Sequence, residues 1–273
     1  MQTIVVPTDF SNEARNAAVY AAELAKIFSA KLLLFHAYML PTPVSEVPYV
    51  MITVDELQKE NEMLIKKEVE HLARTYDIQV ESIVRIGIPS DEIRSLTEDV
   101  AVDLVVMGMK GAGGIDKIIG STTTNSIRKL KTPVLVVPTH STFSPIKNIT
   151  YASDFSYAVS THLFNPLMTL AKTFQAKFHI INVHRQKEDM KKKQMEGKIS
   201  LENIFQGFPH SFHDITHPSI MQGITEYMQT HGSDLLVMVE HKHSFLERIF
   251  SRDHTTAMAY ETKSPLLILQ DKA

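Results

Sequence analysis

The feature that most constrains the fold is a pattern that the chain carries twice. Four segments of the second half repeat segments of the first: residues 149–156, 176–183, 234–238 and 264–269 resemble residues 4–11, 30–37, 103–107 and 132–137. Repeats of this length indicate two copies of one folded unit rather than one large domain. We therefore predict one domain at residues 1–139, a second at residues 147–273, and a linker at residues 140–146.

Within the first copy, short apolar runs rich in branched residues alternate with helical patterns. The runs indicate strands at residues 3–7, 31–38, 78–86, 104–107 and 134–137. The helical patterns lie near residues 12–28, 54–76, 89–96 and 120–130. This alternation predicts the α/β class, with two repeated open parallel sheets, Rossmann-like, and helices on both faces. The ligand crevice of such a sheet lies outside the carboxyl ends of its strands.

A glycine-rich turn follows the strand at residues 104–107 and leads to a helix that opens at Gly120, Ser121 and Thr122. Glycine lets backbone N–H groups approach a ligand, and a helix N-terminus adds unpaired donors and partial positive charge. This order of elements favours a phosphate site, with a glycine-rich surface loop that binds nothing as the alternative. Neither the GxxxxGK[ST] nor the GxGxxG pattern is present.

Asp9 follows the first strand, so it should face the same crevice as the glycine turn. A carboxylate beside phosphates is favourable only if it meets a ribose hydroxyl, an adenine amine or a metal ion. The alternative is that Asp9 caps the helix that begins near Ser11. The sequence leaves both interpretations open.

The second copy differs from the first where a ligand would bind. Val239, Lys242, Arg252 and Asp253 stand at the positions of Gly108, Gly111, Gly120 and Ser121. Side chains at the former glycine positions should fill the space that phosphates need. We therefore expect the second copy to have lost the site of the first.

Composition excludes several classes of function. The formal net charge of -3 gives no overall attraction to nucleic acid or to an anionic membrane. The local basic run from Lys191 to Lys193 is interpreted as the solvated face of a helix. No apolar run approaches the roughly 20 residues of a membrane-spanning helix. The chain has no cysteine and no basic segment before its first apolar stretch, so a cytoplasmic location is expected.

Histidines are concentrated in the second half, where ten of the 13 follow His140. We expect several to converge on the second copy's crevice, where they offer a candidate metal site: His213, Asp214, His217, His241, His243, Asp253 and His254. Their spacing matches no known ligand motif. An anion held by Lys242, Arg248 and Arg252 is the alternative.

Both copies resemble the universal stress protein family. The resemblance rests on residues 6–11, 35–37 and 133–137 and on the spaced glycines between Met107 and Thr122. It implies an open five-stranded sheet of order 3-2-1-4-5 that binds ATP. Carried over by position, the implied nucleotide-binding residues are Pro7, Thr8, Asp9, Ala37, Met107, Gly108, Gly111, Gly120, Ser121 and Thr122.

One departure from the family pattern concerns the ligand. Eight residues separate Gly111 from Gly120, one fewer than in the family, so AMP and ADP stay open as ligands beside ATP. Binding of Mg²⁺ by Asp9 is also left open. The resemblance also implies that the last strands, Pro133 to Val137 and Pro265 to Leu269, pair within the chain as a pseudo-dimer. A further homodimer is left open.

The function that the resemblance implies is an adenine-nucleotide-binding regulatory protein of the stress response, with no catalytic residues. One alternative is a slow ATP hydrolase or adenylyl-transfer enzyme, for which Asp116 is the evident base. Another is a nucleotide-free scaffold that binds a partner, a lipid or a metal.

Overall fold

The computed structural model describes residues 1–40, 53–109, 121–156, 160–186, 190–241 and 264–271. In the first half the elements are β1 (Thr3–Pro7), α1 (Asn12–Phe28), β2 (Lys31–Tyr38), α2 (Val54–Tyr76), β3 (Val80–Ile86), α3 (Pro89–Asp99), β4 (Leu104–Met109), α4 (Ser121–Lys129) and β5 (Val134–Pro138). In the second half they are β6 (Asn148–Ala152), a 3₁₀ helix (Thr161–Phe164), α5 (Asn165–Phe174), β7 (Lys177–His184), α6 (Lys192–Phe205), β8 (His210–Thr216), α7 (Ile220–His231), β9 (Leu235–His241) and β10 (Leu266–Asp271).

The strands form one sheet in the order β3-β2-β1-β4-β5-β10-β9-β6-β7-β8. Each half therefore has the order 3-2-1-4-5, and every pair within a half is parallel. The halves meet at β5 and β10, which pair antiparallel with Leu267 opposite Leu135. The predicted α/β class and repeated fold are confirmed.

Local sequence explains how the first copy is assembled. The Ser11 hydroxyl accepts the Ala14 N–H at 3.2 Å and so caps α1. The buried face of α1 is largely alanine, so the helix axis lies close to the sheet. Thr53 and Glu56 form a reciprocal capping box at the start of α2.

Three strand boundaries differ from the prediction, and in the simplest case β5 ends at Pro138 rather than at Val137. β3 begins at Val80 rather than Ile78 because α2 ends in a left-handed Asp77, after which the chain needs two residues to reach the sheet. β4 extends to Met109, since Gly108 and Met109 continue the pairing with β5.

Apolar side chains cover both faces of the sheet. One layer joins the two halves through the predicted linker, where Phe143 packs on Tyr20 at 5.1 Å and on Phe174 at 6.2 Å between ring centroids. Asn16 of α1 donates to the carbonyl oxygens of Pro138 and Ser141 at 3.0 and 3.1 Å. Ser141, Phe143 and Ile146 of this segment are therefore packed against the core, while the residues between them are exposed.

Some predictions fall outside the described residues. These include most of the loop expected at residues 40–52 and the glycine-rich turn itself. Over the part of the chain that is described, no helix has both the length and the apolar character that crossing a membrane requires.

The β5–β10 junction yields a stability prediction. Leu267 is fully buried between the halves, so Leu267→Ala should lower the free energy of unfolding by about 2–5 kcal/mol. Ile199→Ala is the control, because Ile199 is 62% exposed on α6; its change should stay within about 0.5 kcal/mol. Urea denaturation measures both, and equal small losses would contradict a packed junction.

Candidate functional site

A cavity of about 680 Å³ opens at the carboxyl ends of β1, β2 and β4. The described residues that line it come from these strand ends and from the first turns of three helices: Pro7, Thr8, Asp9, Ser11, Glu13, Ala14, Phe35, Ala37, Pro89, Ile93, Met107, Gly108, Ser121, Thr122 and Thr123. It lies where β1 separates β2 from β4, the point at which strand order reverses. This is the expected ligand position in an open α/β sheet.

The turn after β1 is fixed by backbone hydrogen bonds to β2. The Thr8 N–H donates to the Phe35 carbonyl at 2.8 Å, and His36 Nδ1 donates to the Thr8 carbonyl at 2.7 Å. Phe10 adopts a left-handed backbone with φ of 62°, and its ring packs on His36. These contacts hold the intervening Asp9 at the cavity.

Asp9 lies at the crevice, as expected, but the interpretation of Asp9 as the cap of α1 is wrong. Its carboxylate accepts the Ser11 N–H at 3.0 Å, which closes the turn, while Asp9 also lines the cavity. Ser11, rather than Asp9, is the N-cap of α1.

Gly108 allows α1 to reach the cavity. A Cβ atom built on Gly108 would lie 2.4 Å from the Glu13 carbonyl oxygen and 3.0 Å from the Ala14 nitrogen. Any side chain there would displace the first turn of α1. The expectation that a Cβ at this position would fill space needed by phosphates is therefore wrong for Gly108, because the Cβ would meet the helix backbone instead.

The start of α4 forms the opposite wall. Ser121 and Thr122 line the cavity, and the Thr123 hydroxyl donates to the Gly108 carbonyl at 3.3 Å. Lys129, at the other end of α4, contacts Ser90 Oγ at 3.2 Å and Asp91 Oδ1 at 2.6 Å. These contacts tie α4 to β4 and to the first turn of α3.

The electrostatics of the cavity come mainly from helix ends. The N-termini of α1, α3 and α4 all reach it, and each carries the partial positive charge of its helix dipole. Among the described lining residues the charged side chains are Asp9 and Glu13. The site thus offers donors for an anion near α4 and a carboxylate for a hydroxyl or amine near β1.

The structure brings together eight of the ten predicted site residues. Gly111 and Gly120 lie outside the described residues, as does Asp116. Sequence reasoning missed the contributions of seven lining residues: Ser11, Glu13, Ala14, Phe35, Pro89, Ile93 and Thr123. Pro89 opens a helix after Gly87, a signal at the end of β3 that could have placed α3 at the crevice.

The second copy retains the turn but not the helix start. Phe155 has φ of 58°, and the Ser156 N–H donates to Asp154 Oδ1 at 2.8 Å, as in the first copy. However, α5 has 10 residues where α1 has 17, and a 3₁₀ helix precedes it. Val239 is buried at the position that corresponds to Gly108. A helix packed as closely as α1 would meet its side chain.

The expected convergence of histidines on the second crevice is wrong for His213. It lies in the middle of β8, where its ring contacts His179, Tyr227 and His231 of β7 and α7. No group of three histidine, aspartate or glutamate side chains could hold a metal ion among the residues the structure describes. His243, Lys242, Arg248, Arg252, Asp253 and His254 lie outside that part, and the side chain of His241 is not described.

The run from Lys191 to Lys193, which lies before and within α6, agrees with its interpretation as the solvated face of a helix. Lys191 precedes the helix, and the side chain of Lys192 is exposed beside Glu196 at 4.0 Å. The run therefore has a helical, solvated setting.

One sheet made of two parallel halves, with a crevice where the strand order of the first half reverses, defines a tandem α/β protein. The universal stress protein family profile matches residues 1–138. The chain belongs to the universal stress protein family.

Individual proteins agree with this assignment. A universal stress protein of Methanocaldococcus jannaschii is 31% identical over 142 residues, which cover 49% of this chain and 80% of that protein. A second from the same organism is 30% identical and covers 49% and 93%. A crystal structure from Archaeoglobus fulgidus covers 98% of both chains with a TM-score of 0.76 at 17% identity, which shows the fold alone.

The Gly108 contact yields a prediction. Gly108→Ala should lower the free energy of unfolding by about 1–3 kcal/mol through overpacking against Glu13, and should speed amide exchange in the first turn of α1. Gly207→Ala is the matched control, since no atom lies within 4 Å of its added Cβ. Denaturation and hydrogen exchange measure both effects. Equal behaviour of the two variants would show that the contact is not tight.

Proposed function

We propose that this chain is an adenine-nucleotide-binding regulatory protein with one nucleotide site, formed by the first copy. The observation that carries the proposal is the combination, in one cavity, of an apolar wall, a carboxylate and converging helix N-termini. The cavity volume of about 680 Å³ falls within the roughly 300–1,000 Å³ of small-molecule sites.

The base and ribose are assigned to the β1 and β2 side. Ala37, Ile93 and Met107 provide a wall of small or apolar side chains against which a flat ring can pack. Asp9 provides a carboxylate for a ribose hydroxyl or an adenine amine. Because a hydrogen bond to the Ser11 N–H holds Asp9 in place before a ligand arrives, little further ordering is needed on binding.

The phosphates are assigned to the start of α4. Ser121 and Thr122 supply hydroxyl donors, and the helix end supplies N–H donors. Gly111 and Gly120 complete this end in the proposal. ATP, ADP and AMP differ in the length of the phosphate chain, and therefore in how far they extend along the shortened segment between these glycines. A binding assay should compare the three nucleotides.

Magnesium is left out of the proposal. The acidic groups in the described lining are Asp9 and Glu13, and the proposal assigns Asp9 to a ribose hydroxyl or an adenine amine. A Mg²⁺ ion usually needs one or two carboxylates free to coordinate it together with the substrate phosphates.

The second copy is assigned a structural role. Its β10 pairs with β5, which covers an edge strand that would otherwise be exposed. We propose that the tandem chain is a built-in dimer and that it acts in the cytoplasm. A homodimer of complete chains is not needed for this pairing.

Asp9→Asn tests the assignment of the site. The substitution keeps the oxygen that closes the turn but removes the charge, so affinity for adenine nucleotide should fall about tenfold. Asp154→Asn is the matched control, because Asp154 closes the same turn in the second copy; its affinity should be unchanged. Isothermal titration calorimetry with ATP, ADP and AMP measures both.

Two outcomes would refute the proposal. One is the absence of binding of any of the three nucleotides to the wild-type chain. The other is a larger loss of affinity for Asp154→Asn than for Asp9→Asn, which would place the site in the second copy.

A further inference from the structure

Three histidines and a tyrosine form a compact group between α7 and the strands β7 and β8. Ring centroids of His179, His213 and His231 lie 5.8, 5.8 and 6.1 Å apart. Tyr227 stacks on His231 at 3.9 Å with an interplanar angle of 13°. We call these four residues the histidine cluster; they lie toward the C-terminus of α7, away from the crevice edge.

The same four positions are apolar in the first copy. The equivalent positions on β7 and β8 follow from strand register, and those on α7 follow from counting back along the chain from Asp234 and Asp103. These two aspartates are equivalent because each accepts two N–H groups at the start of its copy's first strand. The residues that correspond to His179, His213, Tyr227 and His231 are Leu33, Ile83, Leu96 and Val100. The fold therefore does not require polar rings here.

His179 is the least accessible member of the cluster. It is 9% exposed, and its Nδ1 is hydrogen-bonded to the Tyr227 hydroxyl at 2.9 Å. Its Nε2 is buried and has no hydrogen-bond partner among the described residues. A proton added to this ring would find no acceptor at Nε2, and the charge would be shielded from water.

The other histidines are held in a similar way. His213 Nε2 is hydrogen-bonded to Ser211 Oγ at 2.8 Å, and His231 Nδ1 donates to the Tyr227 carbonyl at 2.9 Å. Each contact fixes the ring of its histidine against the cluster.

The charged groups around the cluster oppose a further positive charge. Lys177 acts from β7, His213 from β8 and His231 from α7. The carboxylates carried by α7 and β8 have other partners: Glu226 of α7 lies 3.5 Å from His217. Asp214 lies on the opposite face of β8 and accepts from Asn182 at 3.3 Å. On the β6 side, Thr150 is hydrogen-bonded to Ser233, so that strand contributes no charge.

Burial, followed by repulsion from Lys177, His213 and His231, lowers the pKa of His179 from its ordinary value of 6.5. Burial and His231 likewise lower the pKa of His213. The unfolded or opened chain therefore binds protons more readily than the closed chain. The stability that these two neutral histidines contribute to the closed state is therefore fully present above pH 6.5, and it is lost progressively as the pH falls from 6.5 toward their lowered pKa.

We propose that the histidine cluster is an acid-sensitive latch that releases α7 from β7 and β8 when the pH falls below about 6.5. Release exposes the second copy's outer strand and leaves the first copy closed, since its equivalent residues do not titrate. The latch is independent of nucleotide binding. Bound metal does not account for the cluster, because no three potential ligands in the described chain are placed to hold an ion.

Hydrogen exchange of the full chain at pH 7.5 and 5.5, corrected for intrinsic rates and with chelator present, tests the latch. Peptides from α7 and β8 should open more often at pH 5.5, by up to about tenfold for each of His179 and His213 and up to about a hundredfold together. Peptides from α3 and β3 of the same molecule serve as the internal reference and should not change.

Variants separate the cluster from other acid effects. The fourfold variant His179→Leu, His213→Ile, Tyr227→Leu, His231→Val installs the first copy's residues and should abolish the acid response. His179→Leu alone should reduce it by up to about tenfold, and His162→Leu, at an exposed position, should leave it intact. An unchanged response in His179→Leu, or equal acid responses of α7 and α3 in the wild-type chain, would overturn the proposal.

Discussion

The approach of α1 to the end of β4 is the contact on which the site depends. Gly108 leaves room for the Glu13 carbonyl, so the first turn of the helix sits directly on the strand. That placement brings Ser11, Glu13 and Ala14 to the cavity wall and lets the turn at Asp9 close against them. The Thr123 hydroxyl on the Gly108 carbonyl adds α4 to the same point. One glycine thus sets the positions of two helix N-termini.

The second copy shows the consequence of losing this contact. Its strands keep the order and register of the first, and its turn keeps the left-handed phenylalanine. Val239 replaces the glycine, and the next helix begins later and behind a 3₁₀ segment. The sheet tolerates this change because its core lies in the strands and in the later turns of the helices. Binding geometry and fold stability therefore reside in different parts of the same unit, which is how one copy can diverge while both remain folded.

Much of this arrangement could be predicted from the sequence, for physical reasons. The repeat and the alternation of strands with helices determine the sheet, and the boundaries of β1, β2 and α2 agree with the patterns at residues 3–7, 31–38 and 54–76. Eight proposed site residues meet in the cavity because parallel strands end at one edge. The role of Gly108 was not predictable, since a contact with Glu13 joins residues far apart in the chain. His213 was misplaced for a related reason: strand periodicity predicts the face of the sheet on which a residue lies, but not its position along the strand.

The central claim is that the first copy binds an adenine nucleotide and the second does not. Native mass spectrometry of the intact chain, titrated with ATP, counts bound ligands directly. We expect a single added nucleotide per chain that saturates, with no second adduct at higher concentration. Two adducts of similar affinity, or none at any concentration, would contradict the claim.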